Sequence, residues 1–370
     1  MKQKKLGVTL VPLIILGAIF VVFSMEDSEY SAINIPLEEK HRGVCWVGGP
    51  NEVMPEELAT VASKNVNWIS QTPFGWQRGY DNPQIGTNKN SDYVWWGERD
   101  EGLKETTANA KANGIKTILK PHIWLRDDAG KWRGEIKMNS EEDWQKWFSD
   151  YTDFILHYAR LAEEADMEML CIGTELHQTC VEREADWRAL IAKIRQVYSG
   201  PLTYAANFSD EYQDVAFWDD LDYIGVQAYF PLTTNEEPTV EELRKGWTKP
   251  IEELQRFSNK YEKPILFTEV GYKSTRDSGI EPWTWPQQLN RDQSEQLYSE
   301  TTQARLYEAL FAEVMDEPWL AGVHLWKWYP NYEQRLNRRK SSKPYYSIDF
   351  TPQAKEAEEV MAEWFAKFAQ

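Results

Sequence analysis

From Gly43 onward the chain alternates between two patterns. Short runs of apolar, β-branched and aromatic residues are each followed by a longer stretch whose apolar positions recur at helical spacing. Eight such runs stand out: "GVCWV" (43–47), "VNWISQTPF" (66–74), "IKTILKPHIW" (115–124), "EMLCIGTEL" (168–176), "LTYAANF" (202–208), "YIGVQAYF" (223–230), "PILFTEVGY" (264–272) and "GVHLWKWY" (322–329). A strand-then-helix repeat implies parallel strands joined by crossover helices, and eight such units close a barrel. No low-complexity linker interrupts the pattern. Residues 42–370 are therefore read as one α/β domain, a (β/α)8 TIM barrel with extended βα loops.

The helical stretches carry their own end signals. "PEELATVASKN" has Pro55 in its first turn, and Ser140-Glu-Glu-Asp143 opens the next long helix with a capping residue and acids at the positive end of the dipole. Pro250 interrupts "VEELRKGWTKPIEELQRFSNKY" and predicts a kink or two shorter helices. Two connections, residues 75–98 and 273–294, are too long for plain turns and follow strand carboxyl ends. They carry Trp76, Trp95, Trp96, Trp283 and Trp285, unlike disordered segments, and are expected to wall a cleft.

Ahead of the barrel, "MKQKK" supplies a positive start, and Leu6 to Phe23 adds 18 mostly apolar residues. Residues 1–25 are read as a signal peptide or N-terminal membrane anchor, a length that suits either. Residues 26–41 are read as a tether. The expected location is exported: periplasmic, cell-surface or extracellular, with a membrane tether through residues 6–23 as the retained form.

A formal net charge of −18 opposes nucleic acid, acidic polysaccharide and anionic lipid, and leaves a neutral ligand as the favoured partner. The chain also holds 18 Trp, more than a core needs when each buried indole N–H wants an acceptor, so some are expected on display. Cys45, Cys171 and Cys180 are too few for a disulfide framework. The five histidines lack metal-ligand spacing, and motifs for zinc hydrolysis, nucleotide binding and a serine triad do not occur, so no cofactor is expected.

Candidate chemistry lies at the strand ends, which form the mouth of such a barrel. Glu269 ends the seventh run behind Ile265, Leu266 and Phe267. Glu175 ends the fourth behind Met169, Leu170, Cys171 and Ile172. Taken singly, either acid could be a structural carboxylate paired with a barrel Lys or Arg. Together they are separated by 269 − 175 = 94 residues, the length of three βα units at roughly 30 residues each. Two carboxyls projecting into one mouth can bracket a glycosidic bond, one protonating the leaving oxygen while the other attacks the anomeric carbon. Other strand ends offer sugar-binding types: Trp46, His122, Trp124, Asn207, Gln227, Tyr229, Trp326 and Trp328. Aromatic rings suit the C–H faces of pyranoses, and His, Asn and Gln can fix hydroxyls.

"IGTEL", "FTEVGY" and "GVHLWKWYP" resemble the glycoside hydrolases of clan A, and within the clan glycoside hydrolase family 113, the β-mannanases. The likeness spans about Gly43 to the C-terminal helix. It implies a retaining double displacement with Glu175 as acid/base and Glu269 as nucleophile, Tyr229 bonded to the nucleophile and Trp326 flooring the site. Clan A commonly has Asn just before the acid/base, bonded to the sugar 2-hydroxyl, where this chain has Thr174. That hydroxyl distinguishes mannose from glucose, so the departure bears on sugar identity more than on reaction type.

The implied function is hydrolysis of a neutral β-linked polysaccharide or oligosaccharide, with β-1,4-mannan foremost. The alternatives are a clan A β-glucan or cellulose hydrolase, or a carbohydrate-binding barrel without catalysis. A Schiff-base lyase or aldolase would use Lys120 or Lys327, and neither accounts for the glutamate pair. Oligomeric state stays open.

Overall fold

The computed structural model describes residues 33–87, 94–127, 130–288, 291–332 and 348–370. Its strands in chain order are β1 (His41–Trp46), β2 (Trp68–Gln71), β3 (Phe74–Gln77), β4 (Ile85–Gly86), β5 (Lys116–Leu119), β6 (His122–Leu125), β7 (Met169–Thr174), β8 (Leu202–Asn207), β9 (Tyr223–Gln227), β10 (Ile265–Val270) and β11 (Leu320–Trp328). Eight of them close a barrel in the order β1-β11-β10-β9-β8-β7-β5-β2, and every adjacent pair is parallel. All eight predicted runs supply one barrel strand each, so the (β/α)8 TIM barrel is the observed fold.

Two of those runs do more than predicted. "VNWISQTPF" and "IKTILKPHIW" each break at a proline, Pro73 and Pro121, whose missing N–H ends the ladder. Beyond the break the two chains pair again, Phe74 with His122 and Trp76 with Trp124, and β4 adds antiparallel on the far edge of β3. His122 and Trp124 therefore stand on a separate three-stranded sheet, β4-β3-β6, and not on the barrel strand itself.

Strands β7 and β10 are buried along their whole length, as parallel strands covered on both faces must be. Side chains from several strands, Trp68, Ile118, Met169, Leu266 and Ala321 among them, fill the barrel interior, while the larger core lies between barrel and helices. A polar layer sits in the interior too: His324 hydrogen-bonds His41 at 3.1 Å and Ser70 at 2.7 Å. Burial pushes His324 down to about 3, so it is neutral there. The three cysteines are buried and free.

The helix Glu141–Glu164 begins where its cap predicted, with the Ser140 hydroxyl accepting from the Asp143 N–H at 3.1 Å. The Pro250 expectation of two shorter helices is not met, because Val240–Tyr261 is a single helix that contains the proline. Leu243, Trp247, Leu254 and Phe257 bury one stripe of it against the core, and this burial offsets the one hydrogen bond that proline removes. The apolar run 6–23 and residues up to 32 lie outside the described residues, but the expected tether does not extend to residue 41. The Ile35 N–H donates to the Pro318 carbonyl at 2.9 Å, buried Lys40 donates to the Met315 and Glu317 carbonyls, and His41 opens β1. Among those described, no helix is long and apolar enough to cross a membrane.

Candidate active site

Glu175 directly follows β7 in the left-handed region, at φ 51°, and its N–H is held by the Ala205 carbonyl at 2.9 Å. The neighbouring Leu176 N–H donates to the Tyr204 hydroxyl at 2.6 Å, which fixes the unusual turn. Gly173 makes this possible, since a Cβ there would come within 2.7 Å of the Tyr204 ring. The turn leaves the Glu175 carboxylate only 7% exposed. Its Oε2 accepts from Arg133 Nε at 3.0 Å and from a second nitrogen of the same guanidinium at 2.8 Å. Its Oε1 accepts from Asn207 Nδ2 at 2.8 Å.

Glu269 is the penultimate residue of β10, in register with Gln227 of β9. Lys120, one residue past β5, donates to its Oε1 at 2.6 Å and to the Thr268 carbonyl at 3.0 Å. The Tyr229 hydroxyl donates to Oε2 at 3.0 Å. Burial alone would lower the Lys120 ammonium, but the Glu269 charge and hydrogen bond outweigh it and raise the ammonium above its ordinary value. His122 Nε2 comes within 3.8 Å of Glu269 Oε1 and has no hydrogen-bond partner among the described residues. Burial first, then Arg133 and Lys120, push His122 well down, so its ring is neutral.

Both glutamates open onto one cavity of about 530 Å³, walled by Trp132, Phe208, Trp283, Trp285 and Trp326. Trp285 meets Trp326 edge-on at 6.4 Å, and the Trp326–Lys327 peptide is cis. Gly271, just after β10, allows this approach, since a Cβ there would lie 2.5 Å from the Trp326 carbonyl. The long connection 273–294 thus walls the cavity as expected, while 75–98 builds the side sheet and a second cleft. Positions 88–93 and 289–290 of these connections lie outside the described residues.

Of the strand-end residues singled out from the sequence, Glu175, Glu269, Asn207, Gln227, Tyr229 and Trp326 line this cavity. His122 reaches Glu269 without lining it. Thr174 is 1% exposed, its hydroxyl 4.0 Å from Cys171 Sγ, and it does not line the cavity. Trp46 lines a different recess with Trp328 and Tyr329. An amide does stand beside Glu175, that of Asn207 on the adjacent strand β8.

Three charged residues around the pair were not recognised as site residues from the sequence, nor were the lining residues Trp132 and Phe208. Lys120 was visible as a strand-end cation, but only as a Schiff-base candidate. Arg133 lies in "KWRGE", with no periodic signal. Glu211 looks like a surface acid in "SDEYQD", yet it is fully buried, accepting from the Tyr204 hydroxyl at 2.5 Å and the Asn207 N–H at 2.7 Å. Burial pushes it up to about 8, against the pull of those two hydrogen bonds.

A parallel eight-stranded barrel with two strand-end carboxylates facing one aromatic cleft is built as a barrel glycosidase. Residues 50–349 match Glycoside Hydrolase Family 113, and the chain belongs to that family. Its structure is similar to that of the GH113 β-mannanase AaManA from Alicyclobacillus acidocaldarius in complex with ManMIm, at 30% identity and a TM-score of 0.73, over 91% of this chain and 100% of that one. A complex of a GH113 β-1,4-mannanase aligns at 25% identity and a TM-score of 0.72, over 89% of this chain and 99% of that one. A GH2 β-galacturonidase from Eisenbergiella tayi, at 15% identity and a TM-score of 0.52 over 89% of this chain and 51% of that one, shares the fold alone. No curated protein matches the chain.

Proposed function

We propose that the chain is a retaining hydrolase of β-1,4-mannan and its oligosaccharides, in which Glu269 is the nucleophile and Glu175 the acid/base. The observation that carries this reading is the unequal anchoring of two carboxylates in one aromatic cavity. Glu269 is held by a buried ammonium and a phenol, which orient both its oxygens. Glu175 sits across a guanidinium and an amide nearer the mouth.

In the first step Glu269 attacks the anomeric carbon and the glycosidic bond breaks, with the Glu175 proton passing to the leaving oxygen. In the second, Glu175 takes a proton from water, whose oxygen displaces Glu269 and restores the original configuration. Flat walls at Trp326 and Trp285 suit the C–H faces of the ring. His122 Nε2 and Gln227 Oε1 are buried polar atoms without a hydrogen-bond partner among the described residues, and a hydroxyl would satisfy them. Mannan as substrate is supported by the two similar mannanases, and a neutral polymer fits the acidic chain.

Glu269→Ala is expected to lower mannan turnover by at least ~10³-fold, with azide restoring turnover as an inverted glycosyl azide. Undiminished hydrolysis ends the nucleophile assignment. Glu175→Ala should slow substrates with poor leaving groups by about 10²–10⁴-fold and spare activated aryl glycosides, which need no acid. Product sizing on soluble mannan, β-glucan and xylan tests the sugar, and preference for β-glucan would overturn it.

A further inference from the structure

The side sheet creates a second aromatic cleft that the catalytic reading leaves unused. Phe74 and Trp76 of β3 and Trp124 of β6 form one wall, with Phe74 6.2 Å from both indoles. Trp95 and Glu98 face them, and the cleft encloses about 500 Å³, within the usual range for ligand pockets. Trp95 is 51% exposed and Trp124 43% exposed, whereas Trp147, Trp187, Trp218 and Trp247 are fully buried in the core. Packing therefore does not explain why these two indoles stand in solvent.

The cleft abuts the catalytic pair on two sides. Phe74 meets the His122 ring edge-on at 5.6 Å, and His122 lies 3.8 Å from Glu269. Trp124 is 6.0 Å from the Arg133 guanidinium, which bonds Glu175 at 2.8 Å. One side chain thus separates the cleft from each carboxylate. Its polar groups are one acid, Glu98, and one cation, Arg126, whose guanidinium lies 5.4 Å from the Trp76 ring centre. Burial pushes Glu98 up to about 7, so it can meet a hydroxyl as donor or acceptor, and Arg126 opposes the alkylammonium ions that aromatic cages otherwise attract.

We infer that this cleft is a saccharide subsite, in which Trp76, Trp95 and Trp124 stack on pyranose units of the same neutral chain that spans Glu175 and Glu269. The inference rests on the glycanase reading above. It makes the side sheet, an extension of β2 and β5 beyond the barrel, the element that measures substrate length.

The test compares Trp95→Ala and Trp124→Ala with the wild type on an aryl β-mannoside and on β-1,4-mannohexaose. The ratio of kcat/KM on the hexaose to that on the aryl glycoside should fall about tenfold in each variant, and an unchanged ratio overturns the subsite. Calorimetric titration of the Glu269→Ala protein with mannohexaose and cellohexaose, with and without Trp95→Ala, separates this from the catalytic assignment. If the wild-type protein turns over neither hexaose but loss of Trp95 weakens binding of either, the subsite stands and the catalytic reading falls. Equal binding with and without Trp95, or none at all, overturns the subsite.

Discussion

Glu269 accepts from an ammonium and a phenol at once, deep enough that neither bond competes with bulk water. Removing the cation leaves a buried carboxylate without its partner, which typically costs about 3–5 kcal/mol. Lys120→Met is accordingly expected to lower stability by that order in a denaturant titration, and to depress turnover with it. The Lys120→Met/Glu269→Gln double variant should recover part of the loss, because no lone charge remains. A single-variant cost well under 1 kcal/mol would remove Lys120 from its place beside the nucleophile.

Glu211 gives a pH-dependent expectation. Its folded value is near 8, against 4.5 for the free side chain, so the folded state holds a proton that the unfolded chain releases. The stability from this group is fully present below about 4.5 and is lost as pH rises through about 8. Glu211→Gln removes that slope, so the stability of the variant relative to wild type should rise between these limits; parallel pH–stability curves would refute the assignment. Of these residues, only the strand-end carboxylates were legible in advance. Position relative to a strand can be read locally, whereas the pairing of Lys120 with Glu269 or Arg133 with Glu175 joins distant segments.

Elements were far more legible than their partners. Eight apolar runs became eight barrel strands because each satisfies a local condition, burial on both faces between helices. The Ser140 cap was equally local, and Ser140→Ala should cost about 1 kcal/mol in a thermal or denaturant melt while leaving turnover intact. At two places tertiary context narrowed or added to what the local rule allowed. Pro250 did not divide its helix, since the buried stripe on either side of it holds the element together. Pro73 and Pro121 did end their barrel strands, but the chain beyond them found a new partner in each other, and no periodicity announces a pairing between residues so far apart in sequence.

At the scale of the whole molecule, the acidic charge and the apolar run 6–23 bear on where the barrel works. We propose that residues 1–25 direct the barrel out of the cytoplasm, either cleaved or retained, with the residues that follow, ahead of the barrel contacts at Ile35 and Lys40, as tether. A chain lacking residues 1–25 should keep its melting temperature and turnover yet stay in the cytoplasmic fraction, whereas export of the truncated chain would refute the leader. The sequence by itself determined the barrel, its strand count and which two strand ends carry acids, since these follow from hydrophobic period and spacing along the chain. Only the tertiary structure decided which cation faces which carboxylate, that Asn207 stands beside Glu175 while Thr174 turns away, and that four aromatic residues gather outside the barrel. Those outcomes depend on where side chains of separate strands and loops point once the strands are in register, and a local pattern along the chain carries no mark of that.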